Sequence, residues 1–267
     1  MITSKNNDLI KYIKKVSAKA KVRREDGVFF AEGRRLLSET PTHLLEKVFV
    51  SESFCYGNTQ ADEKLKNILN SCEQVYELSD SVFEEISETK HSQGIAALVR
   101  QPSYEPSELL PEKPLLLVLE NVQDPGNLGT MFRTALGAGA SGVILTSDCV
   151  DIFSPKVVRA TMGAIYRLPF FIVPNALEAK HLLNEKVRFF AASLRGEKTY
   201  DKCNFSKGTA FLIGNEGNGL RQETIAACDE EMIIPMEGGL ESLNAAMAAG
   251  ILLYEAHRQR CKEESNK

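Results

Sequence analysis

The stretch IIPMEGGLESLNAAMAAGILLYEA, residues 233–256, opens as a buried strand and closes as a helix. Between the two lie Pro235, the adjacent Gly238 and Gly239, a carboxylate and a Ser-Leu-Asn triplet. Ser242 is suited to cap the helix, and Asn244 near its N-terminus keeps an amide free to point into a cleft. Ala245, Ala246, Ala248, Ala249 and Gly250 then keep the helix thin, so that other backbone can pass close to it. Polar residues just beyond a strand end, followed by a thin helix, suit an open α/β sheet, where ligands sit outside the carboxyl ends of the strands.

The rest of the C-terminal part alternates in the same way. Apolar runs at 115–122, 142–146, 170–173, 187–193, 209–214 and 232–236 read as buried parallel strands. Helical stretches near 128–138, 154–165, 176–185, 220–228 and 242–260 separate them and predict helices on both faces of the sheet. Two more strand ends carry polar loops. In ENVQDPGNLGTMFRTA, residues 120–135, a turn at Asp124–Asn127 precedes a helix expected from Leu128. Asn127 is a good N-cap residue, and Arg133 two turns later is placed to reach back over the turn. Taken alone, a cap and a surface cation explain this segment equally well. In FLIGNEGNGL, residues 211–220, Gly214, Gly217 and Gly219 follow a strand directly. Their spacing is not that of a dinucleotide loop, and Glu216 would repel a pyrophosphate, so a cofactor with a positive centre suits it better. An ordinary glycine-rich turn with an exposed glutamate is the plain alternative.

Four of the ten prolines fall in RQPSYEPSELLPEKP, residues 100–114, which reads as an extended linker. The expected division is a small α/β domain over 1–100, a linker over 101–114 and a catalytic domain over 115–267. The N-terminal part begins with a basic helix near 5–22, then strands at VFFAEG, KVFVS, QVYEL and GIAALVR, with helices between, one of them near 60–71.

Composition excludes several classes. The chain is 43% hydrophobic and 25% charged, as in globular proteins. No apolar run reaches the roughly 18 residues of a membrane helix, so no membrane partner is expected. The lysine-rich N-terminus lacks the apolar core of a signal peptide, which predicts a cytoplasmic protein. Six scattered cysteines without a C-x-x-C pair and four distant histidines give no metal site and no disulfide framework. The net charge is −4, yet residues 1–24 hold eight lysines and arginines against the single acid Asp8. A basic arm on an acidic body is either a footprint for a phosphate backbone or a solvated helix face.

The ordered triple NVQDPGNLGTMFRTA, FLIGNEGNGL and IIPMEGGLESLNAAMAAGILLYE resembles motifs one, two and three of the SpoU (TrmH-like) branch of the SPOUT RNA methyltransferases. SPKVVRATMGAIYRLP, residues 154–169, fits the same family, and GVFFAEGRRLLSE with TKHSQGIAALV resembles its L30e-like substrate-binding domain. The resemblance implies a C-terminal α/β knot, a deep trefoil with a mostly parallel sheet, and a smaller N-terminal α/β domain. It implies S-adenosyl-L-methionine as cofactor and methyl transfer to a ribose 2′-hydroxyl of RNA, with ribosomal RNA, 23S in particular, favoured by the appended domain. It implies a homodimer through the knotted domain. Ile213, Gly214, Gly219, Ile234, Met236, Ser242 and Leu243 would hold the cofactor. Arg133 would bind the RNA phosphate and the nascent alkoxide, since a guanidinium is too weak an acid to act as base. Asn127 would orient Arg133 or the ribose, Glu216 would fix its loop near the sulfonium or Arg133, and Ser242 and Asn244 would position the target nucleotide. The alternatives are a transfer-RNA ribose methyltransferase, a base-modifying relative, and a non-catalytic knotted RNA-binding protein.

Overall fold

The computed structural model describes residues 1–56, 63–183, 186–238 and 242–265. Gly239 and the first residues of the helix expected near 60–71 lie outside them. The chain divides into two compact units, Met1–Ser103 with Asp151–Tyr166, and Tyr104–Val150 with Arg167–Lys267.

Unit 1 contains α1 (Asp8–Ala18), α2 (Ala20–Asp26), β1 (Val28–Glu32), α3 (Arg34–Ser38), β2 (Leu45–Ser51), α4 (Glu52–Tyr56), α5 (Glu63–Ser71), β3 (Val75–Leu78), α6 (Asp80–Ile86) and β4 (Ile95–Arg100). Its sheet runs β1-β4-β2-β3, antiparallel except for the β2–β3 pair. The Asn7 side chain accepts the Leu9 N–H and starts α1, whose Ile10, Ile13 and Val16 are fully buried. They join Phe30, Phe49, Val82, Phe83, Ile86 and Leu98 in one core. Each such side chain contributes roughly 1.5–3 kcal/mol on burial, so α1 is part of the fold rather than a free arm.

Residues 151–166, which the sequence places in the catalytic domain, belong to unit 1. Arg23, 4% exposed, donates to the Val16 and Ser17 carbonyls and ion-pairs with Asp151 at 2.6 Å. Phe29 meets the rings of Phe153 and Tyr166 at 5.2 and 6.2 Å. A discontinuous stretch of this kind leaves no mark in the sequence, because its mixture of apolar and polar residues reads like that of any other helix beside the sheet.

Unit 2 contains β5 (Leu115–Leu119), α7 (Pro125–Gly137), β6 (Gly142–Thr146), β7 (Phe170–Val173), α9 (Ala176–Leu183), β8 (Arg188–Ala192), β9 (Lys198–Thr199), β10 (Thr209–Ile213), α10 (Gln222–Ala226), β11 (Glu230–Ile233) and α11 (Ala245–Ser265), with α8 (Pro155–Thr161) in the stretch lent to unit 1. Its strands pair in parallel in the order β7-β6-β5-β10-β8-β11-β9. Every residue of β5, β6 and β10 is buried. Leu116, Val118, Ile144 and Leu212 share a core with Ala176, Ala179 and Leu183 of α9. The alternate residues face the side on which α7 and α11 pack on each other. From β5 the sheet grows one way through β6 and β7, and from β10 the other way through β8, β11 and β9. The order therefore reverses between β5 and β10, which puts a crevice beyond Leu119 and Ile213.

Candidate active site

Two of the expected loops leave the sheet on either side of this reversal. After β10 the chain folds into a tight hairpin, with Asn215 N–H bonded to Gly219 O at 3.1 Å and Gly219 N–H to Asn215 O at 2.9 Å. Gly214 must be glycine here, since a Cβ would fall 2.1 Å from the Gly219 carbonyl carbon. The Asn215 side chain accepts the Gly217 and Asn218 N–H groups, each at 3.0 Å, and donates to Asn121 O at 2.9 Å. The hairpin is thus fixed internally and tied to the loop after β5.

Glu216 makes a second tie. Its carboxylate accepts the Gln123 N–H at 3.2 Å, the Asp124 N–H at 3.1 Å and the Asn127 Nδ2–H at 3.0 Å. Partial burial alone would raise its pKa, but these bonds from Asn127 and the backbone outweigh it and hold the carboxyl below its ordinary range. Asn127 Oδ1 in turn accepts from Asn244 Nδ2 at 2.9 Å. Asn244 Oδ1 accepts the Ala246 and Met247 N–H groups at 2.9 and 3.2 Å. One unbroken chain, Glu216–Asn127–Asn244, therefore joins all three loops to the start of α11.

Two capping assignments change. The cap of α7 is Asp124, whose carboxylate accepts the Asn127 N–H at 2.7 Å, and Pro125 starts the helix. Proline suits the first helical position because that N–H has no partner in a helix anyway. Asn127 sits inside the first turn, which frees its side chain for Glu216 and Asn244. The cap of α11 is Asn244 and not Ser242, because the helix begins at Ala245.

The hairpin, the loop after β11 and the start of α11 enclose a cavity of about 410 Å³. Ile213, Gly214, Gly219, Ile234, Met236, Ser242 and Leu243 all line it, with Glu216. Arg133 does not line it. It is exposed on α7 and makes no hydrogen bond or ion pair among the described residues, so the expected approach to Glu216 or Asn127 is not made here. α11 packs its small face, Ala245, Ala246 and Ala249, inward, and Gly250 lies against Thr134 of α7.

Ser193, Leu194 and Arg195, just past β8, also line the cavity and were not anticipated. The rule that selected the other loops, polar residues after a buried strand, would have found them. Also unanticipated is the brace behind the cavity. Glu120, 1% exposed, accepts the Arg221 N–H at 2.8 Å and the Thr224 hydroxyl at 2.6 Å. Arg221 also ion-pairs with Asp148 past β6. An acid closing an apolar strand was the visible signal, since a buried carboxylate requires partners.

The cavity has the size of a pocket for a small organic cofactor. Its wall is apolar, with backbone groups from two glycine-bearing loops, one anion, Glu216, and one cation, Arg195. Among the described residues no group of histidines, cysteines and acids is placed to hold a metal ion.

A model of the SpoU rRNA Methylase family matches residues 114–254, and one of the MRM3-like substrate binding domain matches residues 7–97. An uncharacterized tRNA/rRNA methyltransferase of Synechocystis sp. is 33% identical over 97% of this chain and 94% of its own length. The 23S rRNA (guanosine(2553)-2′-O)-methyltransferase RlmP of Bacillus subtilis is 32% identical over 95% of this chain and 97% of its own. The crystal structure of AdoMet-bound rRNA methyltransferase from Sinorhizobium meliloti superposes with a TM-score of 0.83 at 28% identity, covering 96% of this chain and 97% of that one.

Proposed function

The chain belongs to the SpoU rRNA methylase family, and from that premise we propose that it methylates a ribose 2′-hydroxyl of 23S ribosomal RNA with S-adenosyl-L-methionine as donor. It shares the family's α/β trefoil-knot fold. The observation that carries the reading is the meeting of three loops in one chain of hydrogen bonds beside one cavity. The cofactor fits that cavity on the chemistry of its lining. Ile213, Ile234, Met236 and Leu243 offer apolar surface to the adenosyl group, and Gly214 and Gly219 admit close backbone approach. Glu216, ionised and on the wall, suits a positive centre, and Ser242, exposed on the lining, offers a hydroxyl to the substrate.

When bound, S-adenosyl-L-methionine supplies a methyl carbon whose sulfur leaves as a neutral thioether. The attacking 2′-hydroxyl must lose its proton as the new O–CH₃ bond forms. Arg133 serves as a fixed positive charge beside the RNA phosphate and the developing alkoxide. The proton passes to that phosphate or to water. Asn127 and Asn244 are positioning residues: their amides hold the loops in register, so that nucleophile and methyl are brought together without further ordering.

A homodimer formed through the catalytic unit completes the reading. Met247 and Tyr254, 61% and 52% exposed, lie seven residues apart on α11 with half-buried Ile251 between them, an exposed apolar stripe whose Tyr254 end lies beside Gly137 of α7. Among the described residues Cys72, Cys149, Cys203 and Cys228 form no disulfide, which suits a cytoplasmic, reducing setting. The test is methylation with labelled donor of total RNA from a strain lacking the gene, followed by nucleoside analysis. A 2′-O-methylnucleoside in large-subunit RNA is expected; a labelled base, or label confined to transfer RNA, would overturn the assignment.

A further inference from the structure

Unit 1 contains a cavity of its own, of about 540 Å³, bounded by Ser51 and Ser53, the start of α6, and the loop Thr89–Gly94. The loop is built and held. The Glu32 carboxylate, 9% exposed, accepts the Ser87 hydroxyl at 2.6 Å, the Glu88 N–H at 2.8 Å and the Thr89 hydroxyl at 2.8 Å. The Gln93 side chain accepts the Arg34 N–H at 2.7 Å. Gly94 has φ +73°, and a Cβ there would fall 2.5 Å from Ser51 Oγ. A buried carboxylate and a required glycine that serve only to shape one polar loop point to a preformed binding site.

The lining decides the ligand. Asp80 and Glu84 face the cavity with the hydroxyls of Ser51, Ser53, Thr89 and Ser92, over Phe83, and Lys90 and His91 stand on the loop. Asp80 is held ionised by the Ser53 N–H at 3.0 Å. Glu84 has no partner among the described residues. Two carboxylates reject a phosphate inside the cavity but accept hydrogen bonds from amino and imino groups. Guanine presents both on its Watson–Crick edge, where the other bases present fewer such donors. Unstacked bases of RNA are read on that edge.

Resting on the RNA reading above, we propose that this cleft takes an unstacked guanine of the substrate RNA against Asp80 and Glu84, with Lys90 and His91 on the adjoining phosphate. The basic arm then contributes less of the grip than its composition suggests. Lys5 and Lys14 are paired with Glu85, whose carboxyl they hold down to about 2, and Arg23 is buried.

The test uses the full chain and fluorescein-labelled nine-nucleotide oligouridine strands carrying a central G, A, C or U. Wild type should favour the G strand. Glu84→Gln should weaken the G strand by about tenfold and leave the all-U strand unchanged. Lys90→Ala should weaken all four alike and reduce the salt slope by about 0.7. With ribosomal RNA as substrate, Glu84→Gln should raise KM and leave kcat and donor affinity as they were. A Glu84→Gln enzyme that binds every strand as wild type does, or loses all four equally, would overturn the guanine site while methylation by wild type upholds the RNA reading. A wild type that neither binds nor methylates RNA would overturn both.

Discussion

The Glu216 carboxylate accepts from two backbone amides and from Asn127, and each bond asks for the ionised form. Its folded pKa is lowered, with burial opposing and the hydrogen bonds prevailing. A lowered folded pKa gives stability that is complete above the unfolded value, about 4.3, and is lost as pH falls through the folded value. The Glu216→Gln variant should therefore show a flatter acid limb in thermal melts below about pH 4.3, and it should lose both donor affinity and turnover at neutral pH. An acid limb unchanged from wild type would remove Glu216 as the hinge of the three loops. Arg133 differs in kind, because nothing among the described residues engages it. Arg133→Ala should lower kcat by about 100-fold or more, the scale for removing a charge that stabilises a developing anion. Donor affinity measured by calorimetry should stay as in wild type; a parallel loss of donor binding would take Arg133 out of the chemistry.

At the scale of elements, both helices flanking the site begin with a side chain that has a second duty nearby. Asp124 caps α7 and so turns Asn127 toward Glu216, and Asn244 caps α11 while donating to Asn127. Capping and loop registration separate by substitution. Asn244→Ala should cost about 1 kcal/mol of stability through the lost cap. Asn244→Asp keeps the cap but sets a carboxylate oxygen against Asn127 Oδ1, so its melting point should stay near wild type while kcat/KM falls. Equal activity in wild type and Asn244→Asp would reduce Asn244 to a cap. These caps also mark where the sequence misleads. Asn127 and Ser242 are both good capping types, and only the helix starts at Pro125 and Ala245 decide that Asp124 and Asn244 take the positions.

For the whole molecule, the buried runs of β5, β6 and β10 are unambiguous in sequence, because a parallel strand covered on both faces is apolar throughout. Their order is not, since nothing in a strand's own residues says that β10 lies beside β5; the two-residue β9 is too short to signal at all. The seven residues expected at the cofactor do line one cavity, because the loops after β10 and β11 and the start of α11 meet there, while the stretch past β8 carries the same signal of polar residues after a buried strand. The charge of residues 1–24 was legible and its disposition was not. Lys15, Lys19 and Arg24 are exposed without ion pairs among the described residues, so the triple alanine variant should lower the salt slope of single-stranded RNA binding by about 2. No change in slope would leave this helix pair as a solvated face. Met247→Asp with Tyr254→Asp should shift the protein to monomer in sedimentation, and a wild type that already sediments as monomer would refute the dimer. Finally, the return of residues 151–166 to unit 1 bears on inheritance. A cut at the proline-rich stretch would separate Phe29 from Phe153 and Arg23 from Asp151, so a catalytic half without its companion must cover the surface of residues 151–166 in another way. A lineage that trades one substrate-reading half for another must therefore refit that surface to the newcomer.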